Sequence, residues 1–264
     1  MAEHAEAATV EIDAALSFVP PGRPRRLGLI LLATDLTTER DVARLVPPDL
    51  AAVHATRVSY SNPTTPENLR RMAPWLEAAA ALLAPGATLD AICFSCTAAS
   101  VVIGDGVVSA AVERARPGVP VITPIAAGCA ALKALDARRV ALLTPYLAET
   151  TRPVAARLVA EGFEVVRSSC LGLEDDREMA RLEPASLIDA AALADDPRAE
   201  ALFVSCTALP ALEAVAAIEA RLGKPVVTSN QASIWAMRRA AGIGAVPGGY
   251  GSLFARTARE GSGR

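Results

Sequence analysis

Two short segments of the chain repeat the sequence Ser-Cys-Thr-Ala around a cysteine. Cys96 follows the apolar run 91–94, and Cys206 follows the apolar run 201–204. A short apolar run that ends in small polar residues predicts a buried parallel strand followed by a helix. Each thiol would then lie beside a helix N-terminus, which favours negative charge, so we expect both to ionise more readily than free cysteine. Two such thiols suggest two catalytic groups on opposite faces of one small substrate.

The composition is typical of a globular α/β protein rather than a nucleic-acid-binding or membrane protein. With a formal net charge of −3, the 264-residue chain lacks the basic surface that nucleic acid favours. No apolar run approaches the roughly 20 residues that span a bilayer. The acidic stretch 1–19 lacks the basic start and apolar core of a secretory signal. Five cysteines without a spacing framework fit a reducing compartment, so we expect a cytoplasmic protein with no membrane or nucleic-acid partner.

The elements that must position the cysteines alternate between strands and helices. Residues 1–24 are expected to form a flexible tail that ends in the proline-rich stretch 20–24. Helices are predicted at Glu67–Leu83 and after Cys96 as far as about Arg114, from apolar residues at helical spacing. Strands are predicted at 27–32, 53–60, 89–94 and 119–122, and again at 140–143, 163–167, 201–205 and 225–228.

The second half of the chain repeats the first. The sequence at 25–30 is matched at 138–143, and the sequence at 118–123 is matched at 223–228. Together with the cysteine segments, these pairs indicate an internal duplication. We predict an α/β fold of two duplicated lobes, each a four-stranded parallel sheet flanked by helices, related by a pseudo-twofold axis with the active site between them. The lobes would comprise residues 25–123 with 230–264, and residues 124–229.

The ends of the predicted strands supply further candidate residues. Thr34 and Asp35 follow the first strand of the first lobe, and Tyr146 follows the matching strand of the second. The acidic run 174–178 comes after the next strand. Because the carboxyl ends of parallel strands line one cleft, we expect Tyr146 and at least one of these acids to reach the pocket.

The threonines that follow the two thiols have two readings. Thr97 and Thr207 each come at the predicted start of a helix, where a hydroxyl can cap the helix. The same hydroxyls, with the backbone N–H groups beside them, would also form an anion pocket suited to a carboxylate. The two roles are compatible, and both stay open at this point.

The remaining cysteines favour packing over metal or redox chemistry. Cys93 and Cys96 form a C-x-x-C, but the chain has no second such pair and no spaced histidine pair, so no metal site is predicted. Cys93 falls within a predicted strand and has no counterpart in the second copy. Cys129 and Cys170 are also interpreted as packing residues. The sequence has no glycine-rich phosphate loop and no dinucleotide fingerprint, which argues against nucleotide cofactors.

The paired Ser-Cys-Thr segments on duplicated lobes resemble the aspartate/glutamate racemase superfamily, and most closely its maleate isomerase and arylmalonate decarboxylase branch. Within that branch, several motifs look like the ectoine-utilisation proteins. These are Leu-Ala-Thr-Asp at 32–35, Asn-Pro-Thr-Thr-Pro-Glu-Asn-Leu at 62–69, Cys-Thr-Ala-Ala-Ser-Val-Val-Ile-Gly at 96–104, Leu-Thr-Pro-Tyr at 143–146, Gly-Leu-Glu-Asp-Asp-Arg-Glu at 172–178 and Thr-Ser-Asn-Gln at 228–231. The resemblance runs from about residue 25 to residue 254 and leaves the tail outside.

The resemblance implies a chemistry and a set of site residues. The family works with thiol pairs and without a metal or organic cofactor, and its two thiols fall on Cys96 and Cys206. Thr97, the backbone at Ala98 and Tyr146 match positions that hold a substrate carboxylate. Thr207 takes the equivalent place after the second thiol. Relatives of this kind often form dimers or tetramers, so a homo-oligomer is expected.

The substrate implied by the resemblance is a small carboxylate or an amino-acid-like molecule. Maleate isomerases carry asparagine at the positions that align with Asp35 and Asp176, and two acids there would repel a dicarboxylate and favour an amine. Arylmalonate decarboxylases keep only the second thiol, so the presence of both argues against decarboxylation. The likeness to ectoine-utilisation proteins implies a substrate related to the opened ectoine ring, such as an acetylated diaminobutyrate.

The leading hypothesis is therefore a two-cysteine isomerase. In a racemase, one thiolate removes the α-proton while the opposite thiol delivers a proton to the other face. In a cis–trans isomerase, Cys96 adds to an alkene carbon and Cys206 protonates the adjacent carbon. The alternatives are a small-molecule binding protein without turnover, an arylmalonate-type decarboxylase and, more weakly, a thiol redox protein that uses Cys93 and Cys96. The predicted ligand contacts are Thr34, Asp35, Thr97, Ala98, Tyr146, Asp176 and Thr207.

Overall fold

The chain folds around two four-stranded sheets in which all neighbouring strands are parallel. The computed structural model describes residues 9–20, 22–244 and 248–261, with side chains as far as residue 256. The strands are β1 (Arg25–Leu32), β2 (Ala51–Val58), β3 (Ala91–Phe94), β4 (Val121–Ile122), β5 (Arg139–Thr144), β6 (Glu164–Cys170), β7 (Ala201–Val204) and β8 (Val226–Thr228). The sheet orders are β2-β1-β3-β4 and β6-β5-β7-β8, so the two repeats fold alike. The predicted fold of two duplicated lobes is confirmed.

Helices surround both sheets. They are α1 (Thr38–Leu45), α2 (Pro66–Arg70), α3 (Leu76–Ala81), α4 (Thr97–Ile103), α5 (Asp105–Ala115), α6 (Pro124–Ala134), α7 (Ala148–Ala160), α8 (Asp176–Met179), α9 (Pro184–Ala194), α10 (Val215–Leu222), α11 (Ser229–Ala240) and α12 (Ser252–Gly261). Within the described ranges, no helix is both long enough and apolar enough to cross a membrane.

The central strands carry the core. β1 is buried from Leu27 to Leu32, and β5 is buried from Val140 to Thr144. Each lies between two neighbours, and a continuous buried run is typical of a parallel strand covered on both faces. The edge strand β2 instead alternates between more and less exposed residues over 52–57. The sequence pattern of each strand therefore matches its place in its sheet.

Two of the predicted helices are interrupted. The predicted helix Glu67–Leu83 consists of α2, a 3-10 turn at Ala73–Trp75 and α3. Pro74 lies within the 3-10 turn and cannot donate a helical hydrogen bond. The predicted helix after Cys96 consists of α4 and α5, which meet at Gly104, where the backbone φ of 95° is closed to most other residues. The prediction of continuous helices was wrong at both places.

The chain does not enter a helix directly after Cys206. Residues 207–210 are irregular, a 3-10 turn follows at Ala211–Glu213, and α10 begins only at Val215. Pro210 explains the difference from the first copy, because a proline disfavours helical geometry at the residue before it and has no N–H of its own. The prediction of a helix that starts at Thr207 was therefore wrong.

Helix α11, near the C-terminus, packs against elements of both predicted lobes. α11 packs against α1, α6 and β3, and α6 in turn packs against α4. The predicted division into residues 25–123 with 230–264 and residues 124–229 stays a prediction. Residues 9–20 form no helix or strand, while part of the predicted tail and of the segment after α11 falls outside the described residues.

Candidate active site

A small cavity lies between the lobes, at the carboxyl ends of the strands. Its lining consists of Leu32, Asp35, Tyr60, Thr64, Leu69, Cys96, Tyr146, Asp176, Met179, Cys206, Thr207 and Ala208. The two cysteines of the duplicated segments therefore face the same space, as predicted for a site between lobes. The cavity has a volume of about 20 Å³, which is room for roughly one water molecule. A substrate would have to displace part of this wall on entry.

Cys96 lies in extended backbone at the N-cap of α4, where its side chain makes no capping hydrogen bond, although the nearby N–H of Ala99 favours its thiolate. Burial nevertheless raises the pKa of this thiol well above its usual range, and Cys206 adds to the increase. The expectation that Cys96 ionises more readily than free cysteine was therefore wrong. Removal from water penalises the thiolate more than the helix N-terminus stabilises it.

Cys206 has more hydrogen-bond donors than Cys96. Its sulfur accepts a hydrogen bond from the N–H of Ala208 at 3.3 Å, and two further donors, the N–H of Leu209 and the hydroxyl of Tyr146, are near enough to favour its thiolate. Burial raises the pKa of Cys206 to about 11, and these donors oppose the increase. The predicted lowering of its pKa was wrong too. The three donors still make Cys206 the thiol that gives up its proton more easily.

Tyr146 follows β5 and lies wholly inside the protein, with its hydroxyl directed at Cys206. Burial, together with the nearby thiols, raises the pKa of Tyr146 well above its usual range. The phenol therefore stays protonated and remains a donor at neutral pH. The prediction that this strand-end tyrosine lines the cleft agrees with its position, while its contact with a substrate carboxylate stays a prediction.

Asp35 begins the turn that leads into α1. One carboxylate oxygen accepts the N–H groups of Thr37 and Thr38, each at 2.9 Å, and the other accepts the hydroxyl of Thr38 at 2.7 Å. Burial raises the pKa of Asp35 despite these hydrogen bonds. The carboxylate thus has a structural role at the start of α1 and also forms part of the cavity wall.

Asp176 is held by residues of the first lobe although it belongs to the second. One oxygen accepts the amide Nδ2 of Asn62 at 2.7 Å, and the other accepts the hydroxyl of Thr34. The side-chain oxygen of Asn62 in turn accepts the N–H of Asp176 at 3.2 Å. Thr34 therefore holds Asp176 from outside the cavity lining rather than forming part of the wall.

The threonines after the thiols cap no helix in the structure. Thr97 donates to the hydroxyl of Ser229 at 2.7 Å, and Thr207 donates to the carbonyl of Ser95 at 3.1 Å. Thr207 lines the cavity, whereas Thr97 and Ala98 are buried behind it. The capping reading is therefore not realised, and carboxylate binding by these residues stays a prediction.

Sequence reasoning missed the two polar residues after β2 that line the cavity, Tyr60 and Thr64. Tyr60 donates to the hydroxyl of Thr64 at 2.9 Å, and the N–H of Thr64 donates to the carbonyl of Glu174 in the other lobe at 2.8 Å. The signal was available, because both follow β2 and so had to lie at the same sheet edge as the cysteines. The other missed lining residues are the apolar Leu32, Leu69, Met179 and Ala208.

The other cysteines lie outside the cavity lining. Cys93 and Cys129 are buried, and burial raises the pKa of Cys93 to about 12, as expected of a core thiol. Cys170 is exposed at the end of the edge strand β6, so its interpretation as a packing residue was wrong. Among the described residues, no group of three or more His, Cys, Asp or Glu side chains could hold a metal ion.

Comparison with known proteins identifies the family of this chain. The family profile named arylmalonate decarboxylase matches residues 70–254. The chain belongs to the arylmalonate decarboxylase family. This confirms the predicted branch of the superfamily, whereas the expected link to ectoine breakdown stays a prediction.

Relatives within this family have two recorded activities. The chain is 31% identical to the maleate isomerase of Nocardia farcinica over 87% of its own length and 95% of that protein. It is 38% identical to the arylmalonate decarboxylase of Bordetella bronchiseptica, in a match that covers 53% of this chain and 60% of that protein. These two relatives therefore support a cysteine-based isomerase or decarboxylase.

Solved structures of these relatives share the fold. The maleate isomerase of Pseudomonas putida S16 with maleate superposes with a TM-score of 0.80 at 28% identity, over 88% of this chain and 97% of that chain. A cysteine-to-serine variant of the Nocardia farcinica enzyme carries a covalently bound succinylcysteine intermediate, with a TM-score of 0.80 at 28% identity over 87% and 98% of the two chains.

Proposed function

We propose that this chain is an isomerase in which Cys96 and Cys206 exchange a proton with the α-carbon of a small carboxylate that carries a cationic amine. One observation carries the proposal. Both thiols and two carboxylates, those of Asp35 and Asp176, line one cavity. No lysine, arginine or histidine belongs to that lining, as far as the described residues show.

The charges in the cavity favour an amine over a second carboxylate. Asp35 and Asp176 each have carboxylate lone pairs beyond those used by their protein partners, and an ammonium group could donate to them. A dicarboxylate would instead bring negative charge towards two acids without a basic side chain to offset it. Two like charges about 4 Å apart repel by about 4 kcal/mol at an effective dielectric constant of about 20.

A cationic substrate would also create the base. Burial raises the pKa of both thiols, so in the empty cavity Cys96 and Cys206 are protonated at neutral pH. A positive charge within a few ångströms favours the thiolate and lowers the pKa of a thiol. The substrate amine would therefore help to generate the group that removes its own α-proton, and a dicarboxylate would oppose that step.

The proposed reaction is a two-sided proton transfer. One thiolate takes the α-proton as the electron pair moves into the carboxylate, and the opposite thiol returns a proton to the other face. Hydrogen bonds from Tyr146, Thr97 and Thr207 would stabilise the charge that develops on the carboxylate oxygens. To reach a substrate, the hydroxyls of all three residues would turn from their present partners, which are the Cys206 sulfur for Tyr146, Ser229 for Thr97 and the carbonyl of Ser95 for Thr207.

Cis–trans isomerisation of a small alkene carboxylate is the second candidate. The succinylcysteine in the related Nocardia farcinica structure favours it, since there a cysteine is joined covalently to a four-carbon skeleton. In this chain Cys96 would add to the alkene and Cys206 would protonate the adjacent carbon. Decarboxylation is the further activity recorded in the family, and it would be recognised by release of carbon dioxide.

Proton NMR in deuterated buffer separates these reactions. The ligands are both enantiomers of aspartate and glutamate, N-acetylated diaminobutyrates, maleate and an arylmalonate. We expect wild-type protein to incorporate deuterium at the α-carbon of an amine-bearing ligand, and Cys96→Ala and Cys206→Ala to lose this exchange. Cys93→Ala is the control and should retain the exchange, because Cys93 is a buried thiol outside the cavity lining. Fumarate from maleate would replace the proposal with the addition mechanism. Binding without exchange for every ligand would leave a binding protein.

Asp176→Asn tests the role of the charge. Loss of a hydrogen bond to a charged partner corresponds to about 1.5–3 kcal/mol, so we expect KM for the amine-bearing substrate to rise by about ten- to hundredfold. Asp175→Asn is the matched control, because Asp175 precedes it in the same segment but lies outside the cavity lining. Equal KM values for wild type and Asp176→Asn would count against recognition of an amine.

A further inference from the structure

The segment that follows Cys206 is buried without belonging to a helix. In this Cys206 loop, residues 205–209, both Thr207 and Ala208 are almost inaccessible to solvent. After Cys96, the equivalent carbonyls of Thr97 and Ala98 belong to α4, where N–H groups of the next helical turn donate to them. The carbonyls of Thr207 and Ala208 have no helix to supply donors, so other groups must do so.

Two side chains from distant parts of the chain supply these donors. The amide Nδ2 of Asn230, at the start of α11, donates to the carbonyl of Thr207 at 2.9 Å. The hydroxyl of Thr37, directly before α1, donates to the carbonyl of Ala208 at 2.7 Å. Each residue thus holds one peptide group of the loop.

Those two peptide groups also carry the backbone donors to the thiol. The carbonyl of Thr207 shares a peptide plane with the N–H of Ala208, which lies 3.3 Å from the sulfur of Cys206. The carbonyl of Ala208 shares a plane with the N–H of Leu209, which also favours the thiolate of Cys206. In a trans peptide the C=O and the N–H point in opposite directions. A side chain that fixes the carbonyl therefore aims the N–H at the thiol.

The orientation of Asn230 is itself fixed. Its Nδ2 also donates to a carboxylate oxygen of the buried Asp41, in α1, at 2.8 Å. A flipped amide would direct its oxygen at two acceptors, the Asp41 carboxylate and the Thr207 carbonyl, so only one orientation is favourable. The hydroxyl of Thr207 further ties the loop to the carbonyl of Ser95, directly before Cys96.

We propose that Asn230 and Thr37 are positioning residues that hold the two peptide groups after Cys206 so that their N–H groups stabilise its thiolate. Neither residue lines the cavity, so both act through the loop and not on a substrate. The proposal rests on the proposed role of Cys206 in proton transfer, but the thiol can be titrated without any substrate.

The test is the pH dependence of alkylation of Cys206 by iodoacetamide, followed by mass spectrometry of its peptide. We expect the midpoint to rise by about one pH unit in Asn230→Ala and in Thr37→Val, because each loses one fixed donor to the thiolate. The midpoint of Cys96 in the same samples is the internal reference. The titratable groups that interact with Cys206, which are Tyr60, Cys96, Tyr146 and Asp176, are unchanged in both variants.

Two further variants separate positioning from a general loss of structure. Thr37→Ser keeps the hydroxyl and is expected to restore the wild-type midpoint. Thr123→Val removes a similarly buried hydroxyl, which donates to Asp105 at 2.6 Å and makes no hydrogen bond to the Cys206 loop, so the Cys206 midpoint should not move in this variant. Thr37→Ala replaces Thr37→Val if the latter does not fold.

Turnover distinguishes this proposal from the proposed function. With an active substrate, kcat should fall about tenfold in Asn230→Ala while KM stays within about twofold, as for a group that acts on the reacting thiol. Unmoved midpoints alongside cysteine-dependent turnover would overturn the positioning role alone. Shifted midpoints without proton exchange on any ligand would overturn the proposed function and leave the positioning role standing.

Discussion

Asp41 should make this protein less stable as the pH rises towards neutrality. An acid whose pKa is lowered by a salt bridge has the opposite effect. Its side chain is fully buried in α1, and burial raises the pKa of Asp41 to about 6, against 3.8 for a free aspartate. The hydrogen bond from Asn230 and the charges of Arg40 and Arg44 oppose this increase, while Glu213 adds to it. The folded state therefore binds a proton more tightly than the unfolded state.

The sign and size of the effect follow from linkage. A carboxyl group whose pKa is raised on folding contributes stability that is fully present below the unfolded pKa of 3.8 and is lost as the pH rises through 6. The shift of about two pKa units corresponds to about 3 kcal/mol in the free energy of unfolding. About 1 kcal/mol of this is expected between pH 7 and pH 5.

Urea unfolding of wild type and Asp41→Asn at pH 7, 6 and 5 measures this contribution. The variant keeps an oxygen that can accept from Asn230 and removes the ionisable group, so wild type should gain about 1 kcal/mol relative to it between pH 7 and pH 5. Val42→Ala, at the adjacent buried position in α1, should lower stability by an amount that does not change with pH. If the stability of wild type relative to Asp41→Asn stays constant or falls between pH 7 and pH 5, the reasoning is refuted.

Three further outcomes are expected. Tyr146→Phe removes a donor to the Cys206 thiolate, so the alkylation midpoint of Cys206 should rise from about 11 by about one unit, and an unchanged midpoint would exclude this contact. The kcat/KM for a substrate that shows proton exchange should increase about tenfold per pH unit from pH 6 to 8, since a thiol of raised pKa must ionise; a flat profile would contradict thiolate catalysis. Gly128→Ala would place a Cβ 2.7 Å from the Phe203 ring and should destabilise by about 1–3 kcal/mol in urea unfolding, whereas Gly106→Ala, with open space around it, should not.

Local patterns were sufficient to predict the strands and the duplication. The apolar runs of β3 and β7 are short and end in small polar residues. The sequence motifs that flank β3 in the first lobe recur around β7 in the second lobe. Because parallel strands present their carboxyl ends at one edge, the same patterns also placed Cys96 and Cys206 at a common cleft. The predicted strand ends differ from the observed ones by at most a few residues.

Local patterns failed where a single residue overrides periodicity. Pro74 and Gly104 divide helices that apolar spacing predicts as continuous, and Pro210 removes the helix after Cys206. All three residues are visible in the sequence, and the backbone preferences of proline and glycine could have predicted these interruptions. This error had a consequence for the site, because the irregular loop after Cys206 must be held by other side chains.

The sequence by itself determined the fold class, the duplicated lobes and the meeting of two thiols at strand ends, since each depends on spacing along the chain. Only the tertiary structure decided the protonation of those thiols, because desolvation depends on everything packed around them and here outweighs the local N–H donors. It also decided that Asn230 and Thr37, far from Cys206 along the chain, hold its loop. Hydrogen bonds between distant segments have no spacing in the sequence that could predict them.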